Sequence, residues 1–356
     1  MSTAFVCLVA AGLLVTFLIL THEDSVLTTN TKNLRVVSTP VHDDKANIKI
    51  SFDKGSGMTD KDLHMLAVSR DWRYNKTAAE LVSKASASLE LNSLFWLAAL
   101  GKMKKTVKCR VSDAKKSSKR SCLPSTIVGH QKTCSLVGNS GILLGSNCGR
   151  EIDSRDFVIR MNLPLVSGFE KDVGTRTDMT VLNLETVRRL KWSAHMRKRS
   201  LDAYASRLRA IEGSVLVINK LSIHTLLSGL RQYSSRAFVV LASKTTSLGH
   251  GNETRGINMI ASNIAGMRFD KLPTLGLTTV LMANTFCDRL YLYGFYPFQR
   301  DLTNRTVPYH YYPGDSLRPI IPNVNGNHNM TREYNLHREL HRQGVYKMHL
   351  GTCSDD

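Results

Sequence analysis

A short glycine-containing turn has residue types that could bind a phosphate. The turn, Val137 to Gly141, reads Val-Gly-Asn-Ser-Gly and follows an apolar run. Glycines at such a place let backbone N–H groups approach a phosphate closely. The turn matches neither GxGxxG nor GxxxxGK[ST], so taken alone an ordinary turn explains it better.

Two histidines, His337 and His341, have a spacing that can bind zinc. Being four residues apart, they would share one face of a helix. Neither an HExxH motif nor a nearby cysteine pair accompanies them. We therefore predict no metal site and interpret both as part of a polar helix face opposite Leu336 and Leu340.

The chain has seven cysteines, of which Cys7 lies in an apolar N-terminal segment. Six remain, and they allow 15 pairings among which spacing does not choose. No CxxC or Cys/His cluster has the spacing of zinc ligands, so disulfides are favoured over a metal site. The six are Cys109, Cys122, Cys134, Cys148, Cys287 and Cys353.

Composition and charge describe a folded protein with anionic partners. With 42% apolar residues, 23 glycines and 9 prolines, the 356-residue chain is neither disordered throughout nor collagen-like. Lys+Arg minus Asp+Glu is 48 − 29 = +19. This excess favours nucleic acid, acidic lipid, nucleotide or acidic sugar, and charge alone does not choose among them.

The N-terminus predicts a membrane-anchored protein. Thr3 to Leu20 contains no charged residue, and Glu23 and Asp24 follow soon after. We favour a type II signal anchor over a cleaved signal peptide because no convincing cleavage site is visible. The predicted organisation is a short cytosolic end and transmembrane anchor over residues 1–20, a polar stem over 21–76, and a folded lumenal domain over 77–356.

Four proline-free N-glycosylation sequons agree with a lumenal domain. Their asparagines are Asn75, Asn252, Asn304 and Asn329. A lumenal address disfavours a nucleic-acid partner for the basic surface.

Apolar runs alternate with helical patterns from residue 134 onward, which predicts an α/β fold with a largely parallel sheet. The predicted strands are 135–137, 157–161, 179–182, 215–218, 238–241 and 290–293; the predicted helices are 185–198, 200–211, 277–287 and 331–343. A further helix is expected over 77–105. The basic stretch 102–120 is interpreted as a solvated loop in preference to a track for an acidic polymer.

Four ordered blocks in residues 130–356 resemble the motifs of the sialyltransferase family. Cys134 to Asp153, continuing through Asn162 to Gly174, resembles the long sialylmotif. Pro273 to Phe298 contains a segment similar to the short sialylmotif. Tyr309-His-Tyr-Tyr312 resembles motif III, and His328 followed by Glu333 resembles the very short motif. The C-terminal residues are most similar to the α2,8 branch.

The resemblance implies a single Rossmann-like domain of the modified GT-A type, with core motifs over 134–356. It implies CMP-sialic acid as donor substrate, inversion at the anomeric carbon, no metal or other cofactor, and a Golgi location. The one Asp-x-Asp triplet, Asp60 to Asp62, lies in the predicted stem and is not taken as a metal site.

Two histidines receive catalytic roles from the resemblance. His328 would be the general base that takes the proton of the acceptor hydroxyl, and His310 would stabilise the leaving phosphate. The donor-binding residues implied are Asn139, Asn162, Thr274, Leu275, Gly276, Tyr296, Pro297, Phe298, Tyr309 and His310. Core packing is an alternative for Tyr296 and Phe298.

The resemblance also implies a disulfide pattern. Cys134 would pair with Cys287 and Cys148 with Cys353, which leaves Cys109 and Cys122 as an optional local bridge.

Several residues depart from the family pattern: Leu275 stands in place of threonine, Pro313 of an acid, Tyr296 of tryptophan and Met161 of cysteine. The missing hydroxyl at Leu275 would weaken donor binding by about 1 kcal/mol. Asn329 lies beside His328, so we expect its sequon to be unoccupied or its glycan to point away.

The acceptor and product length are open at this stage. Residues 232–272 carry a net charge of 5 − 2 = +3, a dilute charge that favours mono- or oligosialylation over polysialylation. Alternatives are α2,3 or α2,6 transfer to galactose or N-acetylgalactosamine, and a catalytically silent lumenal glycan-binding protein. Whether the acceptor is a glycoprotein or a glycolipid is not encoded in these motifs.

Overall fold

A computed structural model describes the parts of the chain that carry the predicted motifs. The described residues are 34–38, 48–52, 72–88, 93–99, 107–110, 128–194, 203–219, 222–230, 239–243, 252–265, 268–313 and 328–353. Among them, no helix is long and apolar enough to cross a membrane. The predicted anchor, Cys7, Asp60, Asp62 and Cys122 lie outside the described residues, as does most of the basic stretch 102–120.

A nine-stranded sheet forms the centre of the fold, with the order β11-β10-β5-β6-β7-β8-β9-β3-β4. Neighbouring strands from β11 to β9 are parallel, whereas β3 is antiparallel to β9 and to β4. A separate antiparallel pair joins β1 to β2. The strands are β1 Leu34–Ser38, β2 Ile48–Phe52, β3 Ser93–Ala99, β4 Val107–Arg110, β5 Gln131–Val137, β6 Phe157–Met161, β7 Met179–Val181, β8 Val215–Asn219, β9 Val239–Ser243, β10 Cys287–Tyr293 and β11 Lys347–His349.

Helices cover both faces of the sheet. Along β8, Val215 and Val217 belong to one apolar cluster, while Leu216 and Ile218 belong to another on the opposite face. This alternation follows from the two-residue period of a strand. The described α-helices are α1 Lys76–Ser88, α2 Gly149–Asp153, α3 Glu170–Val173, α4 Leu184–Ala194, α5 Ala203–Ala210, α6 Ile223–Leu230, α7 Asn252–Ala265, α8 Leu275–Ala283 and α9 Met330–Arg342.

The predicted α/β class and parallel sheet are confirmed. Each of the six predicted apolar runs overlaps a strand between β5 and β10. The predicted helix over 77–105 is confirmed as far as Ser88 and is wrong over residues 93–99, which form β3. Phe95 and Trp96 favour strands, and β3 is paired on both edges by β9 and β4. The predicted stem contains β1 and β2, and the proposed domain boundaries stay predictions.

Candidate functional site

A cavity of about 260 Å³ opens at the carboxyl ends of the parallel strands. The residues that directly follow β5, β6 and β10 line it, namely Gly138, Asn162 and Gly294, and Asn183 lies two residues after β7. The N-terminal ends of α8 and α9 complete the wall. Open parallel sheets bind their ligands at this position.

The glycine-containing turn predicted from the sequence lies against the loop after β10. The Gly138 N–H donates to the carbonyl oxygen of Tyr293 at 2.7 Å. A Cβ at Gly138 would come within 2.3 Å of the Gly294 carbonyl oxygen, so glycine is required there. The Ser140 hydroxyl donates to the Tyr296 carbonyl at 2.7 Å. These contacts bring the long-motif turn and the short-motif loop together in one wall.

Two asparagines present amide groups at this wall. Asn139 donates from Nδ2 to the Met161 carbonyl at 3.2 Å, and its Oδ1 accepts no hydrogen bond from a described residue. The Oδ1 of Asn162 accepts from the Asn183 N–H at 3.1 Å and from the Thr186 hydroxyl at 2.9 Å. The orientation of the Asn162 amide is thereby fixed, with Nδ2 left to donate to a ligand oxygen.

The segment Tyr309–Tyr312 is attached to the same turn through the backbone. The Gly141 N–H donates to the Pro308 carbonyl at 2.9 Å, and the Tyr311 N–H donates to the Asn139 carbonyl at 2.9 Å. The His310 ring, which lines the cavity, lies between the rings of Tyr309 and Tyr312 at centroid distances of 4.6 and 5.2 Å. Burial raises the pKa of the Tyr309 phenol, so this group stays protonated.

Glu333 connects the two helices whose N-terminal ends form the other wall. Its Oε1 accepts from the Thr274 N–H at 2.9 Å, and its Oε2 accepts from the Thr274 hydroxyl. The same hydroxyl oxygen caps α8 by accepting from the Leu277 N–H at 3.1 Å. Burial raises the pKa of Glu333 to about 7, because its effect is larger than that of the two hydrogen bonds from Thr274, which lower the pKa.

His328 precedes α9 at the cavity wall. Its Nδ1 lies 2.8 Å from the Leu272 carbonyl oxygen. A carbonyl can only accept, so Nδ1 carries the hydrogen and Nε2 of the neutral ring has the free lone pair. This is the tautomer that a general base needs.

The cavity brings together nearly all of the donor-binding residues expected from the sequence and both of the expected catalytic histidines. Asn139, Asn162, Thr274, Leu275, Gly276, Tyr296, Pro297, Tyr309, His310 and His328 all line it. Phe298 does not; its ring packs edge-on against Tyr296 and Tyr334 at 5.1 and 4.9 Å, which is the core-packing alternative. Tyr296 fits both the donor-binding and the core-packing interpretation, because it lines the cavity while its hydroxyl donates to the Arg300 carbonyl.

Sequence reasoning gave no site role to several further lining residues. These include Asn183, Phe295, Met330, Tyr334 and His337. Asn183 caps α4, because its Oδ1 accepts from the Thr186 N–H at 2.7 Å. The sequence signal for it is an asparagine, a residue favoured at helix N-caps, directly after a predicted strand and before a predicted helix. Glu333 was recognised as part of a motif, but its bond to Thr274 was not foreseeable.

The expectation that His337 and His341 form a polar helix face is wrong. Their exposed fractions are 3% and 0%. His337 contacts the Tyr346 hydroxyl at 2.7 Å, and His341 accepts from the Met348 N–H at 3.1 Å. Burial lowers the pKa of each to about 4. Packing against residues 346–348 therefore explains these neutral rings.

Two disulfides have the pairing implied by the family resemblance. Cys134 on β5 is bonded to Cys287 on β10, and Cys148 is bonded to Cys353 after β11. In the described part of the chain, one group of side chains is close enough to hold a metal ion: Cys148, Cys353 and His349. Because both sulfurs are in the disulfide, they are not thiolate ligands. Cys109 lies on β4 but Cys122 lies outside the described residues, so the optional bridge between them stays a prediction.

The glycosylation sequons occupy different surroundings. Asn304 is exposed, whereas Asn75 and Asn329 use their Oδ1 atoms to cap α1 and α9. Asn329 is half-buried beside His328. Occupancy at all four sequons stays a prediction.

Comparison with known proteins identifies the class of this α/β protein. Residues 77–345 match glycosyltransferase family 29 (sialyltransferase), and the chain belongs to this family. The family resemblance seen in the motifs is thereby confirmed.

Among curated proteins, the chain is 34% identical over 234 residues to an alpha-N-acetylneuraminide alpha-2,8-sialyltransferase of Xenopus tropicalis. It is 33% identical over 239 residues to the protein of the same name from Xenopus laevis. The matches cover 63% of this chain and 62% and 60% of those proteins.

Among solved structures, a crystal structure of a mammalian sialyltransferase aligns with a TM-score of 0.41 at 19% identity. The alignment covers 79% of this chain and 93% of that one.

Proposed function

We propose that this protein transfers sialic acid from CMP-sialic acid to a sialylated glycan acceptor and forms an α2,8 linkage. The proposal is supported by family membership and by two relatives named for this activity. The observation that carries it is the meeting of His310, His328, Asn139 and Asn162 in one cavity at the carboxyl ends of parallel strands.

The chemistry is an inverting displacement in which the two histidines act on opposite sides of the sugar. The acceptor hydroxyl loses its proton to Nε2 of His328 while its oxygen bonds to the anomeric carbon. The bond from that carbon to the phosphate oxygen breaks, and CMP leaves with the electron pair. His310 donates a hydrogen bond to the departing phosphate.

The charges of the cavity support this division of roles. Among the residues that line it in the described part of the chain, none is lysine or arginine. In this proposal, hydrogen-bond donors stabilise the charge of the phosphate, and the His310 ring, which lines the same cavity as the glycine-containing turn, is suitably placed. We propose that the reaction requires no metal ion.

The cellular setting is part of the same proposal. A Golgi location with a single-pass type II anchor is supported by the apolar segment Thr3 to Leu20 and by the sequons. Two disulfides suit an oxidising lumen. The dilute positive charge of residues 232–272 supports mono- or oligosialylation in preference to polysialylation.

A transfer assay with the full-length chain tests the function. Radiolabelled CMP-sialic acid is supplied in the presence of EDTA with asialo or sialyl-terminated acceptors, and the product linkage is read by mass spectrometry. Transfer to sialylated acceptors alone, lost in His328→Ala, is the expected result. Transfer to asialo acceptors would instead support an α2,3 or α2,6 enzyme. Binding of CMP without any transfer would support a silent glycan-binding protein.

A further inference from the structure

His337 is a buried cavity-wall residue to which the proposed reaction gives no role. It lies one helical turn after Glu333 on α9, so both side chains are on the same face of the helix. Its imidazole meets the ring of Phe295 edge-on at 5.4 Å, and both residues line the cavity. No described residue forms a hydrogen bond with its Nε2 atom, since the one bond of the ring is made by Nδ1.

The contact with Tyr346 determines which nitrogen of His337 carries the hydrogen. Tyr346 is 1% exposed, and among the described residues its hydroxyl contacts Nδ1 of His337 alone, at 2.7 Å. A buried hydroxyl needs an acceptor for its hydrogen, so Tyr346 donates to Nδ1. Nε2 therefore carries the hydrogen of the neutral ring.

Burial keeps this ring uncharged under physiological conditions. It lowers the pKa of His337 to about 4. The side chain is consequently a single, neutral N–H donor whose orientation is fixed by Tyr346. A donor of this kind suits a neutral acceptor oxygen, whereas a carboxylate is better matched by several N–H groups or a cation.

We propose that His337 is a specificity-determining residue whose Nε2–H donates to the carbonyl oxygen of the N-acyl group of the transferred sugar. The proposal rests on the proposed function, because it names a contact to the donor of that reaction. The neighbouring lining residues Phe295, Met330 and Tyr334 provide the apolar surface that an acyl methyl group requires. The combination of one neutral donor and an apolar wall matches an acetamido group.

Two donors that differ at this group test the contact. The wild type is assayed with CMP-N-acetylneuraminic acid and with the analogue that has a hydroxyl in place of the acetamido group. His337→Leu should lose about tenfold in kcat/KM for the N-acetyl donor, mainly through KM, and little for the hydroxyl analogue. His337→Gln, which keeps an N–H donor, should recover part of the loss. Tyr346→Phe should show a smaller loss with the same donor preference.

A matched control separates recognition from packing. His341→Gln alters an equally buried histidine one turn further along α9, outside the cavity wall, and should affect both donors equally. If His337→Leu reduced kcat/KM equally for both donors, or for neither of them, the proposal would be overturned. Absence of transfer by the wild type would contradict the proposed function instead. Calorimetric binding of the two donors to the wild type and to His337→Leu would then still decide the role of His337.

Discussion

The carboxylate of Glu333 accepts two hydrogen bonds from Thr274, one from the backbone N–H and one from the hydroxyl. These residues are 59 positions apart in the chain and lie at the starts of α9 and α8. His328, the proposed base, is close to Glu333 in the chain, and the donor-binding residue Leu275 is next to Thr274. The two hydrogen bonds between Glu333 and Thr274 therefore fix the position of the base relative to the donor-binding residues.

Replacing Glu333 by glutamine should change how stability depends on pH. The folded-state pKa of Glu333 is about 7, above its ordinary value of 4.5, so the folded protein binds more protons than the unfolded chain between these values. The contribution of Glu333 to stability should therefore fall as pH rises from 4.5 to 7, by an amount on the order of 3 kcal/mol. The buried His337 and His341 contribute in the opposite direction in both proteins, so the difference in unfolding free energy between the wild type and Glu333→Gln, from urea unfolding at each pH, should change by this amount. Glu339→Gln, which removes a partner of Arg342 on the same helix, should keep the contribution of Glu333.

Removing the proposed base should affect turnover much more than folding. His328→Gln should lower kcat by roughly 10²- to 10⁴-fold, the usual contribution of a general base. CMP binding and the unfolding midpoint should change little, because the Nδ1 contact to Leu272 is a single hydrogen bond. The exposed His224, changed to glutamine, serves as the control. An equal loss of turnover in both variants would remove His328 from the mechanism.

Asn162→Asp should weaken donor binding while it preserves the local structure. Aspartate keeps the oxygen that accepts from Asn183 and Thr186, and it tolerates the left-handed backbone at φ 63°. It lacks the Nδ2 donor and adds a negative charge beside the proposed phosphate site. The donor KM should rise at least about tenfold. An unchanged donor KM in a correctly folded variant would exclude Asn162 from the phosphate or nucleotide contacts.

The disulfide between Cys148 and Cys353 should contribute strongly to stability, since it links residues 205 positions apart. Replacing both cysteines by serine should lower the free energy of unfolding by about 5 kcal/mol in the chain-entropy model. The bridge between Cys134 and Cys287 spans 153 residues and should have a similar effect, because the entropy that a bridge removes from the unfolded chain grows only with the logarithm of loop length. Urea unfolding of both double variants checks this. A change of less than 1 kcal/mol in either would contradict the prediction.

Much of the fold could be predicted because local patterns specify it. The run Val215 to Ile218 in β8 is continuously apolar, as a strand buried on both faces requires, and β6 is buried at all five positions with Arg160 as its one charged residue. Residues 93–99 could not be assigned in this way, since β3 depends on a partner far along the chain: Phe95 pairs with Ala242. Helices α6 and α7 were not predicted at all.

The site was predictable to the extent that motifs mark its residues. The turn at Gly138 was a weak signal on its own, and its contact with Gly294 depends on tertiary packing. His337 and His341 were interpreted from helical spacing, which does not reveal that residues 346–348 cover them. Burial, and with it the neutral state of both rings, is a property of the folded chain.

The two disulfides have a consequence for cleavage of the backbone. One bond joins Cys134 to Cys287 and the other joins Cys148 to Cys353, so the linked segments overlap. A protease that cuts once between residues 148 and 353 leaves two fragments that at least one bridge still connects. When the cut falls between residues 148 and 328, the fragment carrying His328 and Glu333 remains covalently attached to the one carrying Asn139. A nicked molecule would migrate as two bands on a gel under reducing conditions, but as one under non-reducing conditions.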